Sequence, residues 1–442
     1  MKYKSVSGNS ILEQSAHAAH NLASLGVNKG DRIGICANNS MELVTLVIAA
    51  LRSGIIPALI SSQATERELT ELTHDIDACR VFRDGDLDKI VYGNNLSMEI
   101  EIAISDFPQC RPMHFTSGTT GRPKAVWSGW LTQSESLEWV QEEIDTWEFV
   151  ESDTHLVNGP LNHSAPLRFA IMTVFAKGSL IIPEKFVAKL ALELMINEGV
   201  TTTFAAPAHL QRIMAVASPD LRLESMRLVA HAGSFCPDHV RIWAHEFFGV
   251  ETVVEFYGST EGQFTICLAN EWRDNPGSVG RARQGRQLIT DAEGQIWCQV
   301  PDFSRFSYWG DETKSQATWR QGNWFSVGDF GQIDSSGYLY LEGRKGDLII
   351  SGGVNVYPAE IERVISSLQG VAESVAFGLP DSEWGQRVCV AVLGTATESE
   401  IDKHLREQLS GPKRPKSVFL IENFPRTHSG KVDRIQVAKI FG

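Results

Sequence analysis

The 442-residue sequence predicts an α/β protein: a large N-terminal domain of parallel-rich α/β layers with a small β-barrel-like part, followed by a small α+β C-terminal domain. Three observations predict it. Helix-period and strand-period runs alternate through residues 11–60 and again through 180–256 with short connections, the pattern of parallel strands covered by helices. Short alternating runs broken by Gly, Asp and Ser over 285–342 read as antiparallel sheet or barrel. After Gly343-Arg344-Lys345-Gly346-Asp347 the chain turns into a compact helix and strand mixture, so the boundary falls near Lys345, giving domains 1–344 and 345–442.

Ile11, Leu12, Ala16, Ala19, Leu22 and Leu25 recur at helical spacing and stop at Gly26, which predicts a helix over 11–25. Residues 32–37 alternate as a strand, and 40–51 return to helix with Gly54 after it. The next block reads as strand 180–183, helix 187–197, strand 202–205, helix 208–216, then strands 228–231 and 253–256. Runs at 295–300, 331–334 and 338–342 form the antiparallel part, and a helix at 358–368 with strands at 371–378 and 387–393 forms the tail. The most apolar stretch, 43–60, is broken by Arg52, Ser53, Gly54 and Pro57, so a buried helix and strand are expected there and no membrane span.

Lys and Arg number 40 against 54 Asp and Glu, a net charge of −14 with no long basic block, which argues against nucleic acid as a partner. Anionic substrates would need a field built locally. The seven cysteines are scattered without a C-x-x-C pair, supporting neither a disulfide framework nor a zinc cluster. The N-terminus lacks an uninterrupted apolar run, and a reducing, cytoplasmic compartment is the default expectation.

Phe115-Thr116-Ser117-Gly118-Thr119-Thr120-Gly121-Arg122-Pro123-Lys124 gathers four hydroxyls, two glycines and a lysine after an apolar lead. Such a backbone folds around phosphate oxygens, hydroxyls add donors and the lysine adds charge. It is not a Walker A loop, because Arg122-Pro123 separates the second glycine from Lys124. Tyr257-Gly258-Ser259-Thr260-Glu261, Val327-Gly328-Asp329, Gly343-Arg344 and Pro425-Arg426-Thr427-His428-Ser429-Gly430-Lys431 follow in that order. On these motifs the chain resembles the adenylate-forming enzymes, the superfamily of acyl-CoA synthetases, firefly luciferase and nonribosomal peptide adenylation domains.

The resemblance implies a two-step reaction. A carboxylate attacks the α-phosphorus of ATP to give acyl-adenylate and pyrophosphate, and a thiol, usually coenzyme A, then takes the acyl group. By the same resemblance Glu261 holds Mg²⁺ directly or through water, and Thr260 donates to the α-phosphate. Thr116, Ser117, Gly118, Thr119, Thr120, Gly121 and Lys124 form the phosphate loop. Asp329 accepts from the ribose hydroxyls, Arg344 steadies ribose and phosphate, and Gly233-Ser234 with Glu255-Phe256-Tyr257-Gly258 flank the adenine. Lys431 swings in from the mobile C-terminal domain for adenylation and leaves as that domain rotates about a hinge near Lys345-Gly346. The family usually carries Asp or Lys where Gly346 stands, and glycine permits rotation without biasing it. Gly352 and Gly353 match the segment lining the coenzyme A passage.

Residues 157–169 match the loop and helix that line the family's acyl tunnel, with His163 as the gate beside the reacting carboxylate. No Asp or Glu lies between His155 and Met172, which disfavours an amino acid as substrate and leaves fatty or aryl acids. Arg168 is the odd charge in an apolar helix; pairing with a structural carboxylate is the preferred reading, contact with a polar group on the acid the other. An amine or a carrier-protein thiol is the alternative acceptor to coenzyme A. A homodimer and an acyl carrier protein are left open as partners.

Overall fold

A computed structural model describes residues 3–93, 102–116, 123–426 and 432–442. Two parallel-rich sheets face a shared layer of helices. In the first, strands Arg32–Cys36, Ile56–Ile60, Ala78–Arg83 and Met113–Thr116 run parallel, and Lys124–Trp127 and Ser307–Tyr308 close one edge antiparallel. In the second, Ser179–Pro183, Thr154–Val157, Thr202–Ala205, Leu228–His231 and Val253–Glu255 run parallel in that spatial order. Helices Gly8–Ser24, Met41–Ser53 and Ser164–Phe175 lie between the sheets, and one core runs from Ile33 and Ala58 through Leu46 and Leu167 to Leu180 and Ile182.

The helix Met41–Ser53 is buried on nearly every side, as its almost unbroken apolar sequence requires. Ser40 caps it by accepting from the Leu43 N–H at 3.0 Å, and Gly54 ends it in the left-handed conformation at φ 71°. Several boundaries differ from the sequence pattern. A strand, Tyr3–Ser7, precedes the first helix and pairs antiparallel with Ser179–Pro183. That helix opens at Gly8, where a Cβ would lie 2.6 Å from the Gly178 carbonyl oxygen that accepts the Gly8 N–H. The helix expected over 208–216 is Pro207–Met214, because proline suits a first helical position.

Strands Gln287–Thr290, Ile296–Gln299, Trp324–Phe325 and Trp319–Arg320 form an antiparallel sheet, and the hairpin of Asp329–Ile333 with Leu339–Arg344 leans on it through a Gln295–Phe330 bridge. The barrel-like part is therefore an open sheet wrapped by a hairpin. From Ile349 onward, strands Ile349–Ser351, Val354–Val356, Val371–Asp381, Gly385–Gly394 and Ser417–Leu420 pair only with one another among the described residues. They and the helices Pro358–Ser366, Glu398–Gln408 and Arg434–Phe441 carry their own cores around Val390 and Phe377. No helix among the described residues is long and apolar enough to cross a membrane.

Candidate active site

In the second sheet the loops 158–163, 232–237 and 256–264 all leave the carboxyl ends of parallel strands, where α/β sheets gather ligands. The loop 256–264 turns tightly: Ser259 N–H donates to the Gly262 carbonyl at 2.8 Å, and Gly258 and Gln263 bridge. Gly258 is required there, since a Cβ would meet the Gly262 oxygen at 2.7 Å. The turn presents Thr260 and Glu261 to a cavity of about 70 Å³. Tyr308 donates to Glu261 Oε1 at 2.8 Å, and burial followed by the neighbouring Glu261 charge pushes the Tyr308 hydroxyl well above the ordinary phenol range.

Tyr257, Asp329 and Arg344 form a second cluster beside this turn. The Tyr257 hydroxyl donates to Asp329 Oδ2, and Arg344 Nε donates to Oδ1 at 2.6 Å across the hairpin in which the two residues are paired. Burial, then the Asp329 charge, pushes the Tyr257 hydroxyl well up, so it stays a donor. Tyr257 also stacks on Phe264 at 4.8 Å. Gly233, at φ 98°, and Ser234 are exposed on the loop after Leu228–His231, and nothing lies within 4 Å of the point a Gly233 Cβ would occupy.

Two side chains of the segment expected to flank the adenine turn elsewhere. Glu255 is buried and accepts two bonds from Arg241 Nη2, at 2.9 and 2.8 Å, and Phe256 packs in a core with Trp147 and Phe169. Only Tyr257 of the three turns its polar group toward Asp329 and Arg344. Thr116 and Lys124 face each other across the hairpin flanking the phosphate motif, and Lys124 Nζ lies 3.2 Å from Asp311 Oδ2. Ser117, Gly118, Thr119, Thr120, Gly121 and Lys431 lie outside the described residues.

His163 takes the N-cap position of the helix Ser164–Phe175, and its neighbour Ser164 lines the cavity. The loop before it is pinned to the first sheet by Asn39, which donates to the Gly159 carbonyl at 2.9 Å and accepts from the Leu161 N–H at 2.8 Å. Lys345–Asp347 is a single short 3-10 turn, with open space around Gly346. Gly352 and Gly353, at φ 58° and 78°, make a two-residue hairpin turn, and a Cβ on Gly352 would strike Trp384 at 2.7 Å.

The cavity wall holds what sequence reading did not find: Arg111, Arg283 and Arg286 converge on it beside Arg168, together with Glu143. Arg283 donates to Glu143 at 2.9 Å, and Arg286 pairs with Glu142 at 2.8 Å. Burial disfavours the Glu143 carboxylate, but the charges of Arg283 and Arg168 outweigh it and hold its pKa at about 2. His114 is buried in the same wall with its pKa pushed down to about 4, so it is neutral, with Nδ1 2.9 Å from the Asn162 carbonyl. Arg168 has no carboxylate within 4 Å among the described residues, which corrects the reading that it pairs with a structural acid. The contributing segments lie some 140 residues apart; the only local sign was three arginines within 281–286 and adjacent acids at Glu142-Glu143.

The AMP-binding enzyme family matches residues 1–299, and the AMP-binding enzyme C-terminal domain matches residues 360–431. The long-chain-fatty-acid–CoA ligase FadD13 of Mycobacterium tuberculosis is 30% identical over 93% of this chain and 88% of its own length. The 2-succinylbenzoate–CoA ligase of Lactococcus lactis is 29% identical over 94% and 92%. Among solved structures, the o-succinylbenzoate CoA synthetase of Bacillus subtilis with its acyl-adenylate intermediate superposes with a TM-score of 0.86 at 25% identity, covering 97% of this chain and 92% of that one. The same synthetase with ATP and magnesium ion gives 0.84.

Proposed function

Because the chain belongs to the AMP-binding enzymes, we propose that it is an AMP-forming acid–thiol ligase that adenylates a carboxylic acid other than an amino acid, releases pyrophosphate and passes the acyl group to coenzyme A. The observation that carries this reading is a single cavity lined both by the Thr260-Glu261 turn and by the Arg168 helix. ATP chemistry and acid binding then meet in one space. A carboxylate and a triphosphate repel until preorganised donors and cations offset their charge.

In this reading Asp329, with Tyr257 and Arg344 fixing its carboxylate, accepts from the ribose, and Gly233 lets the base approach the backbone. Thr260 donates to the α-phosphate. Magnesium fits the donor set: Mg²⁺ keeps water and phosphate oxygens and takes one or two carboxylates. Glu261 supplies one, with Oε1 already oriented by Tyr308, and no group of three or more His, Cys, Asp or Glu among the described residues would cage the ion. When bound, the ion neutralises charge on the phosphates. His163, next to the cavity-lining Ser164, is the gate of the acid site, neutral His114 lies in its wall, and Lys431 completes the adenylation centre from the C-terminal unit. That unit has its own core and joins the rest through the 345–347 turn, which suits a hinge at Gly346; Gly352-Gly353 would border the thiol's path.

ATP-dependent pyrophosphate release across aliphatic and aryl acids, with and without coenzyme A and with acyl products read by mass spectrometry, tests the reading. It expects AMP and an acyl-CoA thioester. Acyl-adenylate without thioester would move the acceptor to an amine or a carrier-protein thiol. No pyrophosphate with any acid would overturn the reading.

A further inference from the structure

The arginine wall of the cavity holds more positive charge than the protein itself balances. Arg283 pairs with Glu143 at 2.9 Å and Glu142 at 3.4 Å and donates to Thr146 at 3.0 Å. Arg286 is satisfied by Glu142 at 2.8 Å and Ser304 at 3.2 Å. The second oxygen of Glu143 accepts from the Trp147 indole at 3.2 Å. Four guanidiniums therefore face two carboxylates, and the ion pairs of both acids go to Arg283 and Arg286.

Arg111 and Arg168 remain. Neither has an ion-pair partner within 4 Å among the described residues, and Nε and Nη2 of Arg111 are buried without a hydrogen-bond partner. Arg111 is held in place over Trp139 at 4.7 Å and Phe303 at 5.9 Å. Burial, and then the charge of Arg168, push Arg111 down to about 9, so the two guanidiniums work against each other. Desolvated, unpaired cations are costly, and a fold keeps them where an anion arrives to pair with them. A purely alkyl or aryl substituent there would leave both unpaired.

We propose, resting on the ligase reading, that the acid substrate carries a second anionic group, a carboxylate besides the one activated, and that Arg168 and Arg111 receive it. The activated carboxylate faces the α-phosphate held at Thr260, the second meets the guanidinium pair, and the apolar wall of Leu167, Ile171 and Met172 holds the body between them. Planar guanidinium forks suit a carboxylate bidentately, which makes this pair a selector and not only a source of field.

The test uses the full-length protein and a series of aliphatic and aryl diacids, each beside its own monoamide, which keeps the shape and removes one charge. Pyrophosphate release gives kcat/KM for both members of each pair, and calorimetric binding without ATP gives an independent readout. The expected result is a preference for one diacid over its monoamide of about tenfold or more. That ratio falls toward one in Arg168→Met and Arg111→Met and is partly restored in Arg168→Lys. Turnover of monoacids with no preference for any diacid would overturn this inference and leave the ligase reading standing. A preference that Arg168→Met and Arg111→Met do not alter would assign the arginines to ATP or to the reacting carboxylate and overturn it too. Diacid binding lost in these variants without turnover of any acid would sustain the inference and overturn the ligase reading. Neither binding nor turnover would overturn both.

Discussion

Two arginine systems, one around Arg241 and one around Arg168 and Arg111, differ in one respect. Arg241 is closed: it donates twice to Glu255, reaches Asp238 at 3.1 Å and lies over Trp272 at 4.5 Å. Arg168 and Arg111 are open, lining a cavity with no acid assigned to them. A buried charge whose partners are all internal serves the fold, whereas one whose partners are missing serves a ligand.

The sharpest way to break this comparison is to cut both systems. Arg241→Met strands Glu255, a carboxylate already pushed upward by burial, and is expected to cost about 3–5 kcal/mol in denaturant unfolding. Arg168→Met leaves Glu143 its direct partner Arg283 and relieves the repulsion with Arg111, so its unfolding free energy is expected to stay within about 1 kcal/mol of wild type. Equal destabilisation by the two would erase the distinction.

The adenylation step extends the contrast to a cation from the C-terminal unit. Lys431→Ala is expected to lower adenylation about 10²–10³-fold while keeping most transfer from supplied acyl-adenylate to coenzyme A. Stopped-flow assays of the two half-reactions check it, and equal loss in both contradicts alternation about Gly346. Asp329→Asn, within a cluster closed on one side by Tyr257 and Arg344, should reduce kcat/KM for ATP about 10–100-fold. A loss confined to the acid's KM would move Asp329 out of the nucleotide site.

A further effect, spread over several sites, comes from pH. Burial holds His114, His155 and His231 at about 4, 3 and 3, so all three are neutral in the fold. In the unfolded chain they protonate near pH 6.5, so below that the unfolded state binds more protons. Stability is therefore full above about pH 6.5 and falls as pH drops toward 4, by roughly 2 kcal/mol per histidine at pH 5. Thermal midpoints at pH 7 and 5 read this directly, and a flat profile would mean the histidines titrate normally.

Much of the architecture was legible because it is local. Strands 202–205 and 228–231 stand where the apolar pattern placed them, and the helix 40–51 shows its cap and stop in Ser40 and Gly54. The edge strand Tyr3–Ser7 was not legible, since its pairing with Ser179–Pro183 depends on a segment far along the chain. Motif order singled out Thr260, Glu261 and Asp329 as candidates, but gave no sign of Tyr308 on Glu261 or Asp311 on Lys124, which are long-range packing choices. Arg168 was visible as an anomaly. That Arg111, Arg283 and Arg286 join it, with too few acids to balance them, follows only from three distant segments meeting at one wall.

The most direct measurement of the central claim is acid-dependent exchange of labelled pyrophosphate into ATP in the absence of coenzyme A. The account predicts label in ATP only when a carboxylic acid is present, because acyl-adenylate formation alone is reversible. Exchange without any acid, or none across the whole acid series, would contradict it.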